Sequence, residues 1–325
     1  MTVSLRNTIA DLREKVRQAL RRGMLFALAL FAGFVFAAAP ATAQEATVRQ
    51  IADDLYFFFD FDGSNAIFLV TDEGVLLIDT RTHPRDGQDL LDRIRKVTDK
   101  PIKWVINSHF HGDHHFGNAV FKAVGATFVA QQETARIMQQ VQPKELARRV
   151  DGFKKRGLDP NEVKLILPDV TFDNGMTIHL RGREVQLMYF GPGQQAGDTF
   201  VLFPHARALF TPGAFGKRNM PTMAYTPSVD NWIKVLNQVT DMDVDQILPA
   251  HGDVATRADV KELAAMLADE YETVKRAVEK SLSVDEAVKT LTFPQYKDWR
   301  NYRRLPGEIK AMYELIQTGK RSYFD

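Results

Sequence analysis

The histidines of this chain are concentrated in one short segment, from Asn107 to His115. Four of the eight histidines lie there, and an aspartate lies among them: His109, His111, Asp113, His114 and His115. A buried histidine that must become charged is costly, and a neutral imidazole facing a divalent cation avoids that cost. The segment therefore predicts a metal site, and the alternative is a solvated histidine-rich loop.

The spacing within this segment indicates two neighbouring metal sites rather than one. His109 and His111 are two positions apart, so their side chains point to the same side of an extended backbone. Asp113 and His114 are adjacent and point in different directions, and one tetrahedral ion does not easily take all four ligands. A short apolar strand, Trp104–Ile106, precedes the segment and would hold it at a strand end.

The chain around this segment alternates predicted strands with predicted helices. Turn residues between runs rich in Phe, Ile and Val predict strands at 56–60, 66–70, 75–78, 104–106, 126–130, 177–180, 185–190, 199–203, 208–211 and 246–248. Apolar residues at helical spacing predict helices at 89–97, 119–124, 133–141 and 229–239, and several more after Asp259. This pattern favours an α/β (α+β) fold with layered sheets and outer helices.

Composition narrows the classes of function. Lys and Arg number 42 against 41 Asp and Glu, and no basic cluster occurs outside the N-terminus, so we expect no nucleic-acid partner. The chain has no cysteine, which excludes disulfides, thiolate zinc ligands and cysteine nucleophiles. We expect the partner to be a small-molecule substrate; the sequence leaves the oligomeric state unknown.

The first 43 residues are typical of an export signal. A basic stretch, Arg13–Arg22, precedes the uncharged apolar run Met24–Ala39 and the small-residue triplet Ala41-Thr42-Ala43. This order predicts cleavage after Ala43, a periplasmic or secreted protein, and no stable membrane anchor afterwards. The alternative is a membrane anchor, but the run is shorter than the roughly 20 residues of a span. Arg21-Arg22 leaves both the general and the twin-arginine export routes open.

His109-x-His111-x-Asp113-His114 resembles the H-x-H-x-D-H motif of the metallo-β-lactamase fold superfamily, which includes class B β-lactamases and glyoxalase II. The resemblance extends over roughly Val48–Arg257. It implies a four-layer αββα sandwich with metals at one edge of the two sheets. It also implies that His251, in Pro249-Ala250-His251-Gly252-Asp253, is the last histidine ligand. Asp79 matches an aspartate that orients metal-bound groups in the family, and its alternative is a turn at a strand end.

Two positions depart from the family pattern. Gln194, in Gly191-Pro192-Gly193-Gln194-Gln195, stands where the family has its third histidine. Gly213 stands where glyoxalase-like members have an aspartate that bridges two metals. An amide oxygen is a weak zinc ligand beside imidazole, and losing a carboxylate between two cations increases their repulsion.

The resemblance and its departures together imply unequal metal sites. We expect one firmly bound zinc, with the ligands Asp113, His114 and His251. A second ion would be weak or absent, with the ligands His109, His111 and Gln194. Iron or manganese in place of zinc stays an alternative.

A metal-dependent hydrolase is the favoured function, cleaving an ester, thioester or amide bond, lactams included. Asp113 would be the catalytic residue, holding the metal and positioning or accepting the proton of water. His109 and His111, where free of metal, would carry protons or stabilise an oxyanion. The alternative is a non-catalytic metal- or ligand-binding descendant of the fold, which the two departures favour. Redox chemistry on iron is a third, weaker hypothesis.

The predicted organisation has three segments: an export signal at 1–43, a metallo-β-lactamase-like domain at 44–257, and a helical extension at 258–325 packed on that domain. A hydrolase should keep an open cleft beside His251. Six side chains are candidates to line that cleft, with packing inside the sandwich as the alternative: Phe110, Phe116, Phe215, Met220, Met223 and Tyr225. Lys217-Arg218 is a candidate contact for an acidic substrate group.

Overall fold

The computed structural model describes Asp11, residues 13–19 and residues 45–319. The chain divides into two units, residues 1–43 and residues 44–325. Of the first unit, the described residues are helical, and the predicted cleavage point at Ala43 lies outside the described residues. Within the described ranges, no helix has both the length and the apolar character required to cross a membrane.

Seven strands form the first sheet of the unit that begins at residue 44, within its described part. In sheet order they are Thr47–Ala52 (β1), Leu55–Phe59 (β2), Ala66–Thr71 (β3), Gly74–Ile78 (β4), Ile102–Asn107 (β5), Thr127–Gln131 (β6) and Val170–Phe172 (β7). Strands β1 to β4 pair antiparallel, and β4 to β7 pair parallel. The parallel pairing of β4 with β5 brings the residues that follow both strands to the same edge of the sheet.

Five strands of the described residues form the second sheet, in the order β12-β11-β10-β9-β8. They are Gly175–Leu180 (β8), Arg183–Met188 (β9), Phe200–Phe203 (β10), Ala208–Gly216 (β11) and Gln246–His251 (β12). Strands β11 and β12 pair parallel, and the other neighbours in this sheet pair antiparallel. The crossover between them is a helix, as a parallel pair requires.

Eight α-helices cover the sheets within residues 45–319. They are Pro84–Arg95 (α1), Gly112–His115 (α2), Asn118–Ala123 (α3), Gln132–Lys155 (α4), Val229–Asp241 (α5), Arg257–Glu279 (α6), Val284–Thr290 (α7) and Leu305–Thr318 (α8). Capping boxes begin two of them, at Thr256 before α6 and at Ser283 before α7. In each, a hydroxyl and a carboxylate satisfy backbone N–H groups that the first turn leaves unpaired.

Alternation along the strands separates the layers. In β3, Ile67 and Leu69 face the core between the two sheets, while Ala66 and Phe68 face the helix α1 on the outside. This is the period of two that places successive side chains on opposite faces of a strand. Helices α5, α6 and α8 cover the outer face of the second sheet with a separate apolar core. The result is the predicted four-layer αββα sandwich, with further helices packed on it.

Helix α4 is longer than the sequence predicts, and the difference matters for the site. The predicted helix stops at Val141, two residues before Pro143, whereas α4 runs through that proline to Lys155. A proline inside a helix costs about 3 kcal/mol. Contacts beyond the proline hold the helix, because Glu145 is buried and Arg149 donates to Asp113.

Candidate metal centre

Strand ends bring the candidate residues together at one edge of the two sheets. Strand β4 ends immediately before Asp79, and β5 ends immediately before the histidine segment. In the second sheet, β12 ends at His251 and the neighbouring β11 contains Gly213. Residues separated by up to 172 positions, Asp79 and His251, therefore face one centre because the topology places their strand ends side by side.

A change of backbone direction inside the histidine segment separates its ligands. His111 lies on extended backbone, and helix α2 begins at Gly112 and carries Asp113 and His114. A Cβ at Gly112 would lie 2.4 Å from the ring of Phe116, so only glycine permits this turn without moving that ring. The two pairs of ligands thus approach the centre from different sides.

Asp113, His114 and His251 converge to hydrogen-bond distance. The Nε2 atoms of His114 and His251 are 3.0 Å apart. Asp113 Oδ2 lies 3.1 Å from His251 Nε2 and 3.5 Å from His114 Nε2. Such a group of one carboxylate and two imidazoles has the composition of a catalytic zinc site that keeps a position for water.

Hydrogen bonds on the far side of each ring show which atoms face the centre as lone pairs. His114 Nδ1 lies 2.7 Å from Asp79 Oδ2, which can only accept, so the ring donates there. His251 Nδ1 lies 3.0 Å from the carbonyl oxygen of Gly63, so it also donates. In the neutral rings both Nε2 atoms are then acceptors, and Asp113 adds a third. Three acceptors that face one another without a donor fit a cation.

Asp79 organises both halves of the centre. This carboxylate is fully buried and accepts from the backbone N–H of Ser108 at 2.8 Å, besides His114 Nδ1. It also accepts from Ser108 Oγ at 2.7 Å. Because the single hydroxyl proton of Ser108 goes to Asp79, His109 Nδ1, 2.8 Å away, must donate to that hydroxyl oxygen. His109 Nε2 therefore keeps a lone pair, and it is buried without a hydrogen-bond partner among the described residues.

The other predicted half of the centre is filled by side-chain amides. Gln194 is buried, and so is its neighbour Gln195, whose Nε2 atom lies 3.3 Å from His111 Nδ1. A Cβ at Gly213 would lie 2.5 Å from Gln194 Oε1, 2.7 Å from Gln195 Nε2 and 3.3 Å from His109 Nε2. Position 213 thus faces this half, and the two amides occupy the space that a side chain there would need.

Charges around Asp113 make its end of the centre suitable for a cation. Burial alone would raise the pKa of Asp113, but Arg149, His114 and His251 lower it well below its usual range. Burial alone would lower the pKa of His114, but Asp113 and Asp79 raise it overall. Two carboxylates therefore favour positive charge at His114, whether it is a proton or a metal ion.

The remaining histidines of the segment are neutral. Burial, with neighbouring imidazoles, lowers the pKa of His109 well below its usual range. Burial lowers the pKa of His111 to about 3 and that of His115 to about 4. His115 points away from the centre and bonds through Nε2 to the carbonyl oxygen of Phe110 at 2.9 Å. Its role is structural.

Sequence analysis did not identify three residues that contact the predicted ligands. Arg149 donates to Asp113 Oδ1 at 2.6 Å, from the part of α4 beyond Pro143. Ser108 and Gln195 each contact a histidine. The sequence signal for Ser108 and Gln195 was that each is adjacent to a predicted site residue, His109 or Gln194. Arg149 lies 36 positions from Asp113, and no spacing rule connects them.

A cavity of about 510 Å³ opens onto the centre, and His109, Asp113 and His251 form part of its wall. Apolar side chains line another part: Phe215, Met220, Trp232 and Leu263. The segment after the sandwich contributes Arg300, Asn301 and Arg304. The cavity is therefore closed on one side by residues of the C-terminal region, and it combines an apolar wall with three guanidinium groups, that of Arg149 included.

The predicted cleft residues divide into two groups. Phe215, Met220 and Tyr225 line the cavity. Phe110, Phe116 and Met223 do not line the cavity and are buried in the apolar clusters of the fold. Lys217 pairs with Asp259 at 3.2 Å and lines a smaller cavity of about 310 Å³, while Arg218 lies 3.5 Å from Glu262. The pair Lys217-Arg218 therefore lies outside the large cavity.

Comparison of the sequence with known families agrees with the site described above. The sequence pattern described as the metallo-beta-lactamase superfamily matches residues 59–251, more than half of the 325 residues. The chain belongs to this superfamily. The match covers the strands from β3 to β12 and ends at His251.

Two kinds of superfamily member are similar in sequence. A linear primary-alkylsulfatase from Pseudomonas sp. is 26% identical, covering 78% of this chain and 54% of the relative. A metallo-beta-lactamase type 2 from Elizabethkingia meningoseptica is also 26% identical, covering 51% of this chain and 60% of the relative. The chain thus spans a little over half the length of each of these relatives.

Solved structures of both kinds share the fold. A sec-alkylsulfatase from Pseudomonas sp. has a TM-score of 0.70 at 18% identity, covering 84% of this chain and 50% of that chain. A metallo-beta-lactamase from Pontibacter korlensis has a TM-score of 0.56 at 19% identity, covering 69% of this chain and 99% of that chain. Superfamily membership supports metal-dependent hydrolysis in general terms, and the clustered histidines and carboxylates suit a metal ion.

Proposed function

We propose that this superfamily member is a metal-dependent hydrolase with one zinc ion, acting on an ester bond of a small anionic substrate. The observation that carries the proposal is the convergence of three acceptor atoms, from Asp113, His114 and His251, on the wall of an open cavity. Mutually facing acceptors without a donor repel one another unless a cation lies between them.

Asp113, His114 and His251 would hold the ion, and their donor set fits zinc better than an all-oxygen metal such as magnesium. Iron and manganese bind similar donors, so metal analysis decides among them. A bound zinc ion supplies polarisation of the scissile bond and a lowered pKa for water.

The chain's own residues supply orientation and a proton acceptor. Arg149 holds one oxygen of Asp113, which leaves the other, Oδ2, directed towards His251. His109 presents an unpartnered Nε2 lone pair, and Ser108 and Asp79 fix the orientation of its ring from behind. A base held by a hydroxyl and a carboxylate has the arrangement used in general base catalysis. We assign His109 as the proton acceptor.

The cavity wall favours an anionic ester. Arg304, beside Arg300 in its pair with Asp62, places a guanidinium group next to an apolar surface, which suits a substrate with an acidic group and a hydrocarbon part. The alkylsulfatase relative is matched over a larger share of this chain than the β-lactamase, 78% against 51%. This favours esters, sulfate esters included, over thioesters, amides and lactams.

Metal analysis beside a substrate panel tests the proposal. Elemental mass spectrometry should find about one zinc per chain in protein purified without chelator. Among a carboxylic ester, a sulfate ester, a thioester and a lactam, an anionic ester should be hydrolysed. Chelation should abolish that hydrolysis and zinc should restore it. Absence of any bound metal would contradict the proposal.

Substrate charge is tested separately. Arg304→Met should raise KM for an anionic ester about tenfold, by loss of one charged contact worth roughly 1.4 kcal/mol. The same variant should leave KM for a neutral ester unchanged. Arg303→Met is the matched control, since this exposed neighbour is not part of the cavity wall. Equal effects on both esters would count against an anionic substrate.

The second candidate function is a metal- or ligand-binding protein without turnover. The amides of Gln194 and Gln195 favour it, because they fill the half of the centre that two-metal members of the family use. One bound zinc with no hydrolysis of any ester, thioester or lactam would support this candidate.

We also propose that the protein is exported and cleaved after Ala43. The basic, apolar and small-residue segments in this order support the proposal. N-terminal sequencing of the protein from a periplasmic fraction should begin at Gln44. An intact N-terminus in the membrane fraction would instead indicate an anchor.

A further inference from the structure

A chain of side-chain amides ends on His111. Gln194 Nε2 lies 3.2 Å from the carbonyl oxygen of Thr222. Gln195 Nε2 lies 2.8 Å from Gln194 Oε1 and 3.3 Å from His111 Nδ1. Both glutamines are buried, Gln195 completely, and Gln194 and His111 also form part of the cavity wall.

The first carbonyl group fixes the direction of the whole chain. The oxygen of Thr222 can only accept, so the atom of Gln194 that faces it must be the nitrogen. Gln194 then presents its oxygen to Gln195, so the atom of Gln195 that donates to it must be the nitrogen. Turning either amide would bring two oxygen atoms within 3.2 Å or 2.8 Å of each other, at Thr222 or between the glutamines.

This direction determines the protonation of His111. The Gln195 nitrogen carries two N–H groups, one for Gln194 and one for His111 Nδ1. Nδ1 therefore accepts, and the ring proton of neutral His111 lies on Nε2. The lone pair on the side of the amides is already in use, so it is not available to a metal ion.

We propose that the amides of Gln194 and Gln195 take the place of a metal ion at His111, with the Gln195 N–H occupying the Nδ1 lone pair. This half of the centre is closed to a metal, and the chain binds a single ion at Asp113, His114 and His251. His111 is then a positioning residue of the cavity wall and not a metal ligand.

Gly213 supports the same conclusion independently. Even a Cβ at this position would lie 2.5 Å from Gln194 Oε1 and 2.7 Å from Gln195 Nε2. Real Cβ atoms do not approach other atoms so closely, so the amides and the glycine form one interdependent set. A side chain at position 213 therefore requires both amides to move from the positions that they hold in this structure.

Nitrogen chemical shifts of the histidine rings test the proposal directly. In the full-length protein labelled with ¹⁵N-histidine, two-bond ¹H–¹⁵N spectra should show His111 with Nε2 protonated and Nδ1 unprotonated. Titration with zinc should shift the rings of His114 and His251 at the first equivalent. His111 Nδ1 should not move on further addition. A protonated Nδ1 before zinc is added, or a zinc-dependent shift of Nδ1, would overturn the proposal.

Variants of Gln195 give a second readout. Gln195→Met keeps the length of the side chain and removes its N–H, so His111 Nδ1 becomes free. At saturating zinc the His111 Nδ1 signal should then shift, because its lone pair is free to bind an ion. Gln142→Met is the matched control, because it removes an amide from another buried position, on helix α4. One zinc and an unchanged His111 in Gln195→Met would refute the blocking role.

The inference rests on the proposed function only for the ion at Asp113, His114 and His251. The two can fail separately. Absence of zinc from the wild-type protein would contradict the proposed function, while the protonation of His111 would still test the amide chain. Two zinc ions in the wild-type protein would overturn the inference and leave the hydrolase proposal standing.

Discussion

The two halves of the centre share one histidine-rich loop and differ in what their lone pairs contact. With His114 and His251 neutral, the atoms that face one another at Asp113, His114 and His251 are all acceptors. At His111, by contrast, a glutamine N–H already occupies the ring nitrogen. Both halves are rich in imidazole. Metal binding therefore depends on whether the fold supplies a donor of its own, and not on the number of histidines.

Removing a ligand from the acceptor half should have the largest effect. His251→Ala leaves one imidazole and one carboxylate, too few to hold zinc firmly. Zinc content should fall from about one ion per chain to nearly none, and hydrolysis should be lost with it. His205→Ala is the control, since His205 pairs with Asp54 outside the centre. Elemental mass spectrometry of both variants measures the result, and undiminished zinc in His251→Ala would place the ion elsewhere.

Asp79→Asn should have the next largest effect on zinc binding, because Asp79 supports both halves of the centre. The amide offers one acceptor where the carboxylate accepts from His114 Nδ1, Ser108 N and Ser108 Oγ. Loss of such a partner behind a ligand typically weakens metal binding about 10- to 100-fold. Competition with a chelator measures the zinc affinity. Affinity within about twofold of wild type would show that His114 needs no partner at Nδ1.

Arg149→Met should weaken zinc binding less, by about tenfold. Arg149 contacts one oxygen of Asp113 and is partly exposed, so it orients the ligand without contacting the cavity side of Oδ2. The adjacent variant Arg148→Met is the control, because Arg148 contacts Glu145 and the Tyr225 ring. The same chelator competition separates the two. Equal zinc affinities in both variants would show that Arg149 does not support Asp113 as a zinc ligand.

Gly213→Ala tests the crowding in the amide half. The added methyl would press on Gln194 and Gln195, and overpacking of this kind costs about 1–3 kcal/mol of unfolding free energy. Gly307→Ala is the control on helix α8, where nothing lies within 4 Å of the new Cβ. That change should be neutral or stabilising. Urea unfolding of both proteins measures the difference, and equal stabilities would mean that the amides move aside freely.

The carboxylates of Asp113 and Glu270 have opposite surroundings, and those of Glu270 affect the stability of the fold. Asp113 faces Arg149 and two histidines, whereas both oxygens of buried Glu270 have no hydrogen-bond partner in the described structure. Burial, with Glu308 and Asp269 nearby, raises the pKa of Glu270 from 4.5 to about 8. Between these two values the folded chain holds a proton that the unfolded chain releases.

Wild-type stability should therefore fall as pH rises from about 4.5 to about 8, by at most about 1.4 kcal/mol per pH unit. Glu270→Gln cannot ionise, so its advantage in Tm over wild type should grow across this window and then level off. Glu272→Gln, on the exposed face of α6, should show no such trend. A constant difference in Tm between Glu270→Gln and wild type across the window would mean that Glu270 ionises normally.

Local pattern was sufficient for most elements of the fold. Strands β2, β3 and β4 lie within one residue of their predicted ends, because Asp-Gly turns separate their apolar runs. Strand β1 was missed because it is mostly half-exposed, and β7 because it has only three residues; neither contains an apolar run. Helix α1 begins at Pro84, five residues before the predicted start, and Pro84 in its first turn was the overlooked signal.

The amino-acid pattern alone identified the acidic and imidazole residues and their family resemblance, because ligand spacing in one loop and one strand end is a local property. The lone pairs left free at those residues depend on partners far along the chain. Arg149 reaches Asp113 across 36 positions, and Gln195 reaches His111 across 84. Such contacts exist only after the sheets and α4 have packed. The fold therefore decides which histidines face a cation and which already have a donor.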